Sequence, residues 1–166
     1  SGQYDLLKDF ENKEDIYSKF ASLVYGRPVD RKRKEVDPET GKETYPDFSA
    51  GFVGKTCILG LGYGMGPERF KDTLRIGVGG VSVQMDLEEA KNTVNLYRNK
   101  YANIAASWDE AQKAIKAMAN GFNYSLNAGG SLTLECTPEG IHLPNGTMIR
   151  YPNLRKTEDG FEYNNR

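Results

Sequence analysis

Residues 48–66 read FSAGFVGKTCILGLGYGMG, a run that combines large apolar side chains with closely spaced glycines. Up to Leu61 the large apolar side chains recur at helical spacing, so we predict a partly buried helix over residues 48–61. The glycines within it oppose this prediction, because each costs roughly 1 kcal/mol relative to alanine in a helix interior. Beyond Leu61, alternating glycines predict a tight turn, and Pro67 suits the first turn of another helix, residues 67–74.

Three side chains of this run, Lys55, Leu59 and Tyr63, follow one another at intervals of four residues. In a helix such residues drift only slowly around the axis and lie on one face. A lysine, an apolar side chain and an aromatic ring on one exposed face suit a nucleotide, because they can contact its phosphates, sugar and base. The alternative is a solvated lysine beside two core residues, and spacing alone favours that alternative.

Residues 49–56, SAGFVGKT, also approach the phosphate-binding P-loop pattern, but Ser49 stands where its first glycine belongs. A P-loop needs a β-strand that leads into a glycine loop whose amides wrap the phosphates. Residues 42–47 are polar and contain Pro46, so they do not predict that strand. The glycines at 60–66 likewise follow a helical run and not the strand that a dinucleotide fingerprint requires. We therefore favour a helix over a P-loop.

Three further helices are predicted on either side of this run from apolar residues at helical spacing. The predicted helices cover residues 6–25, ended by Gly26; residues 87–101, with Asp86 as N-cap and Glu89 three residues on; and the residues between the N-cap Ser107 and the stop at 120–121. Aromatic residues at such spacing are more often core residues than ligand-binding groups. We interpret Tyr97 and Tyr101 as core residues.

Residues 27–46 form a charged segment that lacks almost any large apolar side chain. Its basic residues are Arg27, Arg31, Lys32, Arg33 and Lys34, and the sequence DPETG at 37–41 is typical of a turn. Such a segment predicts a surface loop outside the core. We favour a solvated, mobile loop over a dedicated DNA contact for its basic residues.

The last part of the chain changes to strand-like alternation, with Leu132, Leu134 and Cys136 on one face. Residues 145–146, Asn-Gly, predict a tight hairpin turn before residues 148–151. The predicted fold class is therefore mainly α with a small antiparallel β element. We expect a helical part over residues 1–130, which contains the charged loop 27–46, and a β-hairpin part over residues 131–166.

The composition places few limits on function. Charged residues make up 27% of the 166 residues and the formal net charge is −1, so a role in nucleic-acid binding has to rest on a local patch. No apolar run approaches the roughly 20 residues that a membrane span needs. Cys57 and Cys136 lie far apart without metal-ligand spacing, which favours reduced cysteines. We expect a cytoplasmic protein with no membrane partner.

The sequence GKTCILGLGYGMG at residues 54–66 closely resembles the fingers-helix motif of family A, DNA polymerase I-like, DNA polymerases. That motif has a lysine, an aromatic residue or leucine four residues on, and Tyr-Gly another four residues on. The segments around it follow the family's order: residues 6–16 resemble the region after the first catalytic aspartate, and residues 88–101 the later fingers helices. Residues 143–155 resemble the hairpin before the rest of the palm. The resemblance implies a fingers-like helical domain with part of the palm, of phage type because the loop 27–46 is long.

The family's nucleotide contacts carry over to individual residues. The resemblance implies that Lys55 contacts the triphosphate of the incoming dNTP and that Tyr63 guards the template and nascent-pair position. Leu59 stands where other members carry Phe or Tyr and influence discrimination against chain-terminating sugars. Tyr17 stands where many members have a histidine that reaches the triphosphate. Gly51 stands where many have a phosphate-gripping arginine, so that cation is missing.

The resemblance also implies template contacts by Gly64 and Arg69 together with Tyr63.

The catalytic part of the family's machinery has no match in these residues. The resemblance implies Mg²⁺ in the parent enzyme, but the aspartate and His-Asp-Glu-type motifs that hold two ions about 3.5–4 Å apart have no match. We therefore expect no catalytic residue and no metal ligand in this chain, and no activity of the chain alone. His142, the single histidine, is interpreted as structural.

The resemblance predicts a fingers segment of a template-directed DNA polymerase of phage replication, acting in the cytoplasm of a bacterial host. Its partners would be the primer–template DNA, the dNTP and the rest of the polymerase chain. Two other functions stay open: a P-loop-like nucleotide-binding module built on residues 54–56, and a non-enzymatic helical interaction domain. A strand before Ala50 would favour the first. Insensitivity of nucleotide and DNA binding to Lys55 substitution would favour the second.

Overall fold

The computed structural model describes residues 2–129 and 132–164. Six α-helices and a π-helical segment are found among them, together with small antiparallel sheets, which confirms the predicted class. The helical elements are α1 (Tyr4–Glu11), α2 (Ile16–Tyr25), α3 (Phe48–Thr56), the π-helical segment (Cys57–Leu61), α4 (Pro67–Ile76), α5 (Leu87–Lys100) and α6 (Ala102–Ala119). The strands are β1 (Glu35–Val36), β2 (Glu43–Thr44), β3 (Tyr124–Gly129), β4 (Leu132–Thr137), β5 (Gly140–His142), β6 (Met148–Arg150), β7 (Arg155–Thr157) and β8 (Gly160–Glu162).

The chain divides into two compact units. The helical unit is Gln3–Ala102, and the sheet unit is Asn103–Arg166 with Ser1–Gly2. This division falls earlier than the predicted one at residue 130. The physical reason is that α6 packs on the sheet, where Ala114 and Met118 form a buried cluster with Cys136.

The first predicted helix, residues 6–25, is two helices in the structure. Between α1 and α2 the chain passes through Lys13, whose φ of 57° lies in the left-handed region. Asp15 then caps α2, accepting hydrogen bonds from the amides of Tyr17 and Ser18. This cap was not predicted from the sequence. The predicted end at Gly26, with φ 63°, is confirmed.

Helices α2 and α3 cross closely because α3 presents small residues to α2. A Cβ atom placed on Gly54 would collide with the backbone oxygen of Tyr17 and would lie 2.9 Å from the Cβ of Ala21. Ala21 is fully buried and clusters with Ala50 and with Val29 of the charged segment. The glycines that weaken the helix in isolation are therefore what permits its packing.

The core of the helical unit is aromatic. The Phe20 ring lies 5.6 Å from that of Tyr97, and Tyr97 lies 5.0 Å from Tyr101, both pairs edge-on. Burial, followed by the nearby Cys57, raises the pKa of Tyr97 to about 12, so its hydroxyl is neutral at physiological pH. Both tyrosines are core residues, as the sequence indicates.

The predicted starts of α4 and α5 agree with the structure, whereas the predicted start of α6 does not. Pro67 lies in the first turn of α4 as predicted. Asp86 and Glu89 form the predicted capping box of α5. For α6, the predicted N-cap Ser107 is wrong, because the helix already begins at Ala102 and the Ser107 hydroxyl donates to the carbonyl of Ile104.

The sheet unit carries an antiparallel four-stranded sheet in the order β3-β4-β5-β6. Strand β4 covers the predicted alternating stretch, and β6 follows the predicted turn, which has Gly146 at φ 80°. Strand β3 was not predicted; its residues pair from Tyr124 opposite Cys136 onward. Strands β7 and β8 form a separate hairpin. Both cysteines are free thiols and buried. Among the described residues, no helix is both long and apolar enough to span a membrane.

The charged segment 27–46 is mostly exposed, and its strands β1 and β2 pair as a short hairpin. The segment is nevertheless anchored at its ends by the buried carboxylate of Asp47, whose side chain is 2% exposed. Arg27 lies 2.7 Å from one oxygen of this carboxylate and Arg33 lies 3.7 Å from the other. Arg27 and Arg33 are therefore exposed, as a solvated loop predicts, but both are also paired with Asp47, which was not predicted.

Stability should fall in acid because of Asp47. The Arg27 hydrogen bond, helped by the Asp30 amide, holds the pKa of Asp47 below its ordinary value of 3.8. A carboxylate with a lowered folded pKa contributes its full stability above about pH 4 and loses it as pH falls through the folded pKa. We expect the melting temperature to drop as pH falls below about 4, and Asp47→Asn to melt lower at pH 7 with a flatter acid profile. An equal acid slope in Asp47→Asn and wild type, measured by circular dichroism, would contradict this.

Candidate functional site

A cleft of about 820 Å³ opens in the helical unit along the exposed side of α3 and the π-helical segment. The turn at residues 62–66 and helix α4 continue its wall, and the turn around Val78 and Val81 completes it. This volume is in the range of clefts that bind small molecules. The candidate residues that line it are Lys55, Leu59, Tyr63, Gly64 and Arg69.

The three residues spaced by four, Lys55, Leu59 and Tyr63, all line this cleft as their shared face predicts. Lys55 lies in the last turn of α3 with an exposed side chain, and no ion pair of the described residues engages it. Leu59 is 47% exposed and Tyr63 is 91% exposed. The alternative of two core residues is therefore wrong for Leu59 and Tyr63.

The helix changes character between Lys55 and Tyr63. Residues Cys57–Leu61 form a π-helical segment that follows α3 without a break. Such segments widen a helix by one residue per turn and occur frequently at functional sites. Here Cys57 and Leu61 point into the core while Leu59 faces the cleft. The predicted helix over residues 48–61 is present, but the wider turn within it was not predicted.

The structure contradicts the P-loop alternative. Residues 54–56 lie within helix α3, so the amides that would wrap a phosphate are directed along the helix. The short strand β2 precedes α3, but both of its residues are exposed and belong to the surface hairpin. A P-loop strand would instead be buried and would lead directly into the glycines.

The charge of the cleft distinguishes it from the chain as a whole. Its lining contains four basic residues, Arg31, Lys32, Lys55 and Arg69, and no aspartate or glutamate among the described residues. The complete chain, by comparison, has 22 basic and 23 acidic residues. Cationic side chains beside apolar ones suit a ligand that carries anionic groups on an aromatic or apolar body. The cleft is therefore suited to an anion such as a nucleotide.

The remaining candidate, Tyr17, is not one of the residues that line the cleft. Its ring lies beneath the Arg31 guanidinium, whose carbon is 4.7 Å from the ring centroid. The structure thus brings together Lys55, Leu59, Tyr63, Gly64 and Arg69, and places Tyr17 behind Arg31. Gly64 lies in the turn with a φ of 78°, which favours glycine there.

Sequence reasoning missed several lining residues: Arg31, Lys32, Phe48, Phe52, Met65 and Val78. Phe48 and Phe52 lie one turn apart on α3 and could have been found by continuing the face of Lys55 toward the N-terminus. The position of Arg31 depends on tertiary contacts of the charged segment, which the sequence does not indicate. Metal ligands were not expected here, and the described residues contain no group of three or more His, Cys, Asp or Glu side chains that could hold a metal ion. His142 is exposed on strand β5.

Comparison with protein-family models, with curated proteins and with solved structures returns no match to this chain.

Proposed function

We propose that the helical unit binds the incoming dNTP as the fingers part of a template-directed DNA polymerase. The observation that carries this proposal is that Lys55, Leu59 and Tyr63 line one cationic cleft without acidic side chains among its described lining. A deoxynucleotide has the matching chemistry, with a polyanionic chain at one end and a flat apolar base at the other. The motif resemblance of residues 54–66 supports the same ligand.

Each lining residue has a role that follows from its chemistry. The Lys55 ammonium binds the triphosphate as a point charge. Leu59 packs against the sugar or base by dispersion contacts, and the Tyr63 ring supplies a stacking face at the edge of the cleft. Arg69 and Gly64 also line the cleft, where they would contact the template strand. Closing the cleft over the nucleotide would exclude water and strengthen the phosphate contacts.

The described residues do not fit a catalytic metal ion, because they provide no cluster of ligands. Two Mg²⁺ ions supply the activation of the attacking and leaving oxygens in polymerase chemistry. In our proposal the carboxylates that hold them belong to other segments of the polymerase. The role that we propose for this chain is nucleotide and template binding.

Equilibrium binding tests this proposal directly. We expect the chain to bind a dNTP measurably by isothermal titration calorimetry at low salt, tripolyphosphate more weakly, and the deoxynucleoside weakest. The order follows because the cations grip the phosphates while the apolar wall adds contacts to the base. Equal weak binding of all three ligands would contradict the proposal and would favour a helical interaction domain instead.

Position 59 should control sugar selectivity. A tyrosine there adds a ring and a hydroxyl that can replace an interaction lost with the 3′-hydroxyl of a dideoxynucleotide. In a polymerase that contains this segment, we expect Leu59→Tyr to raise incorporation of ddNTP relative to dNTP by about two- to tenfold, for the roughly 0.5–1.5 kcal/mol of the hydrogen bond that its hydroxyl supplies. Leu59→Phe, which lacks the hydroxyl, is the matched control and should alter mainly turnover. An unchanged ratio in single-turnover assays would show that Leu59 does not face the sugar.

A further inference from the structure

At Gly51, helix α3 contributes no side chain to the wall of the cleft. A Cβ atom placed on Gly51 would collide with the Cβ of Arg31 and would lie 3.3 Å from the Cγ and Cδ atoms of that arginine. Arg31 thus crosses directly over Gly51, and it lines the cleft together with its neighbour Lys32. The charged segment therefore places two cationic side chains at the part of the wall where α3 has no side chain.

Hydrogen bonds from three successive backbone amides fix this part of the segment. Val29 N donates to Ser22 Oγ at 2.9 Å, Asp30 N to Asp47 Oδ2 at 3.2 Å and Arg31 N to Ser18 Oγ at 3.1 Å. The Val29 side chain is buried with Ala21 and Ala50. Residues 29–31 are consequently part of the packed unit, although most of the segment is exposed.

The Arg31 guanidinium is itself held in one orientation. Its Nε donates to Asp15 Oδ2 at 2.7 Å, and its plane lies over the Tyr17 ring. Burial acts to raise the pKa of Asp15, but the hydrogen bonds from Arg31 and from the Ser18 amide outweigh burial. The pKa of Asp15 therefore lies below its ordinary value, and the pair is ionised at neutral pH. A guanidinium has five N–H donors, and among the described residues only Asp15 bonds this one. Its Nη donors remain available to a ligand.

We propose that Arg31 and Lys32 form a second phosphate-binding part of the cleft wall, at Gly51 and so one helical turn along α3 from Lys55, and that Gly51 is required to admit Arg31. This inference rests on the proposed nucleotide function. The ligand groups are the phosphates of a dNTP, which Arg31 contacts through its Nη atoms and Lys32 through its ammonium. Asp15 and Tyr17 act as positioning residues, because they orient Arg31 and do not line the cleft.

Single substitutions in the complete chain test this wall by dNTP titration. Removing a charged hydrogen bond costs about 1.5–3 kcal/mol, so we expect Arg31→Met to weaken dNTP binding about tenfold or more. Lys32→Ala, on an exposed side chain, should weaken it about threefold without lowering the melting temperature. Lys34→Ala is the matched control, because Lys34 belongs to the same segment but is paired with Glu43 in the hairpin and does not line the cleft.

A double-mutant cycle tests the role of Gly51. The Cβ of Gly51→Ala would displace Arg31, so this variant should lose about as much dNTP affinity as Arg31→Met, and the double variant should lose little more. Additive losses in the double variant would contradict the placement of Arg31 by Gly51. Both variants should also reduce the salt dependence of binding, which a purely structural defect would leave unchanged.

The outcomes separate this inference from the proposed function. If Lys55→Ala weakens dNTP binding while Arg31→Met and Lys32→Ala do not, the second phosphate-binding part of the wall is wrong and the nucleotide cleft stands. If the wild-type chain binds no dNTP and no tripolyphosphate, the proposed function itself is wrong. Equal losses in Lys34→Ala and Lys32→Ala would show a general charge effect and would overturn the wall.

Discussion

Gly54→Ala should lower the melting temperature of the helical unit, although alanine is the better helix former. The new Cβ would collide with the backbone oxygen of Tyr17 and would meet Ala21 Cβ at 2.9 Å. A backbone atom cannot turn away as a flexible side chain can, so α2 and α3 would have to separate. Overpacking of this kind costs about 1–3 kcal/mol, which is roughly 4–8 °C of melting temperature for each kcal/mol in a domain of about 100 residues.

Gly60→Ala provides the matched control for this change. It lies in the same continuous helical run, so it receives a similar gain in helix propensity of about 1 kcal/mol. The Cβ of an alanine there would meet only the thioether end of Met65, with the terminal methyl carbon at 2.9 Å and the sulfur at 3.2 Å. Since that side chain can change rotamer, we expect little change in stability or a small gain.

Thermal unfolding followed by circular dichroism at 222 nm distinguishes the two variants. A fall for Gly54→Ala with no fall for Gly60→Ala is the expected result. If Gly54→Ala instead melts at or above the wild-type temperature, α2 and α3 do not cross as closely as described. The position of Lys55 would then need revision too, because the same contact sets the orientation of α3.

The helix ends that depend on local chemistry were predicted correctly from the sequence. The αL glycine at Gly26, the capping box of Asp86 and Glu89, and Pro67 in the first turn of α4 each act within a few residues. The wrong predictions of helix ends arose where two local features competed. Asp15 is a capping residue inside an apolar pattern that reads as continuous, and Ser107 resembles a cap but lies inside a longer helix. Choosing between such possibilities depends on tertiary packing.

The candidate site was only partly predictable for a similar reason. Lys55 and Leu59 belong to one local helical run, and Tyr63 lies in the turn directly after it, so a common side could be expected from spacing. Arg31 lies 20 residues before Gly51, and its position over that glycine depends on buried contacts of Val29 and on hydrogen bonds to α2. No periodic pattern encodes those contacts. The π-helical segment was equally hidden, because its composition matches that of an ordinary helix.

Lys55→Ala should reduce dNTP affinity strongly while leaving the fold intact. The side chain is exposed and makes no ion pair with the described residues, so its removal should change stability by no more than about 0.5 kcal/mol. Loss of a charged hydrogen bond to phosphate costs about 1.5–3 kcal/mol, or about a tenfold to hundredfold weaker affinity. This separation between binding and stability is the distinctive feature of the prediction.

Lys8→Ala is the control for the loss of a positive charge. Lys8 is also an exposed helical lysine, but it lies on α1 and does not line the cleft. We expect Lys8→Ala to bind dNTP like the wild type at about 0.1 M salt, where charges more than roughly 10 Å apart are largely screened. An equal loss in both variants would indicate a general effect of net charge and would contradict the role of Lys55.

The same substitution should act uniformly on all four nucleotides in a polymerase that contains this segment. Lys55 would contact the triphosphate, which the four dNTPs share, whereas Leu59 and Tyr63 would contact the sugar and base. We therefore expect kcat/KM to fall by about 2–4 kcal/mol equivalent for each dNTP, because charge develops on the phosphates in the transition state. Single-turnover incorporation measures this loss nucleotide by nucleotide. A loss confined to one base would assign Lys55 to base recognition, and no loss in incorporation or in binding would leave it a solvated lysine on a core helix.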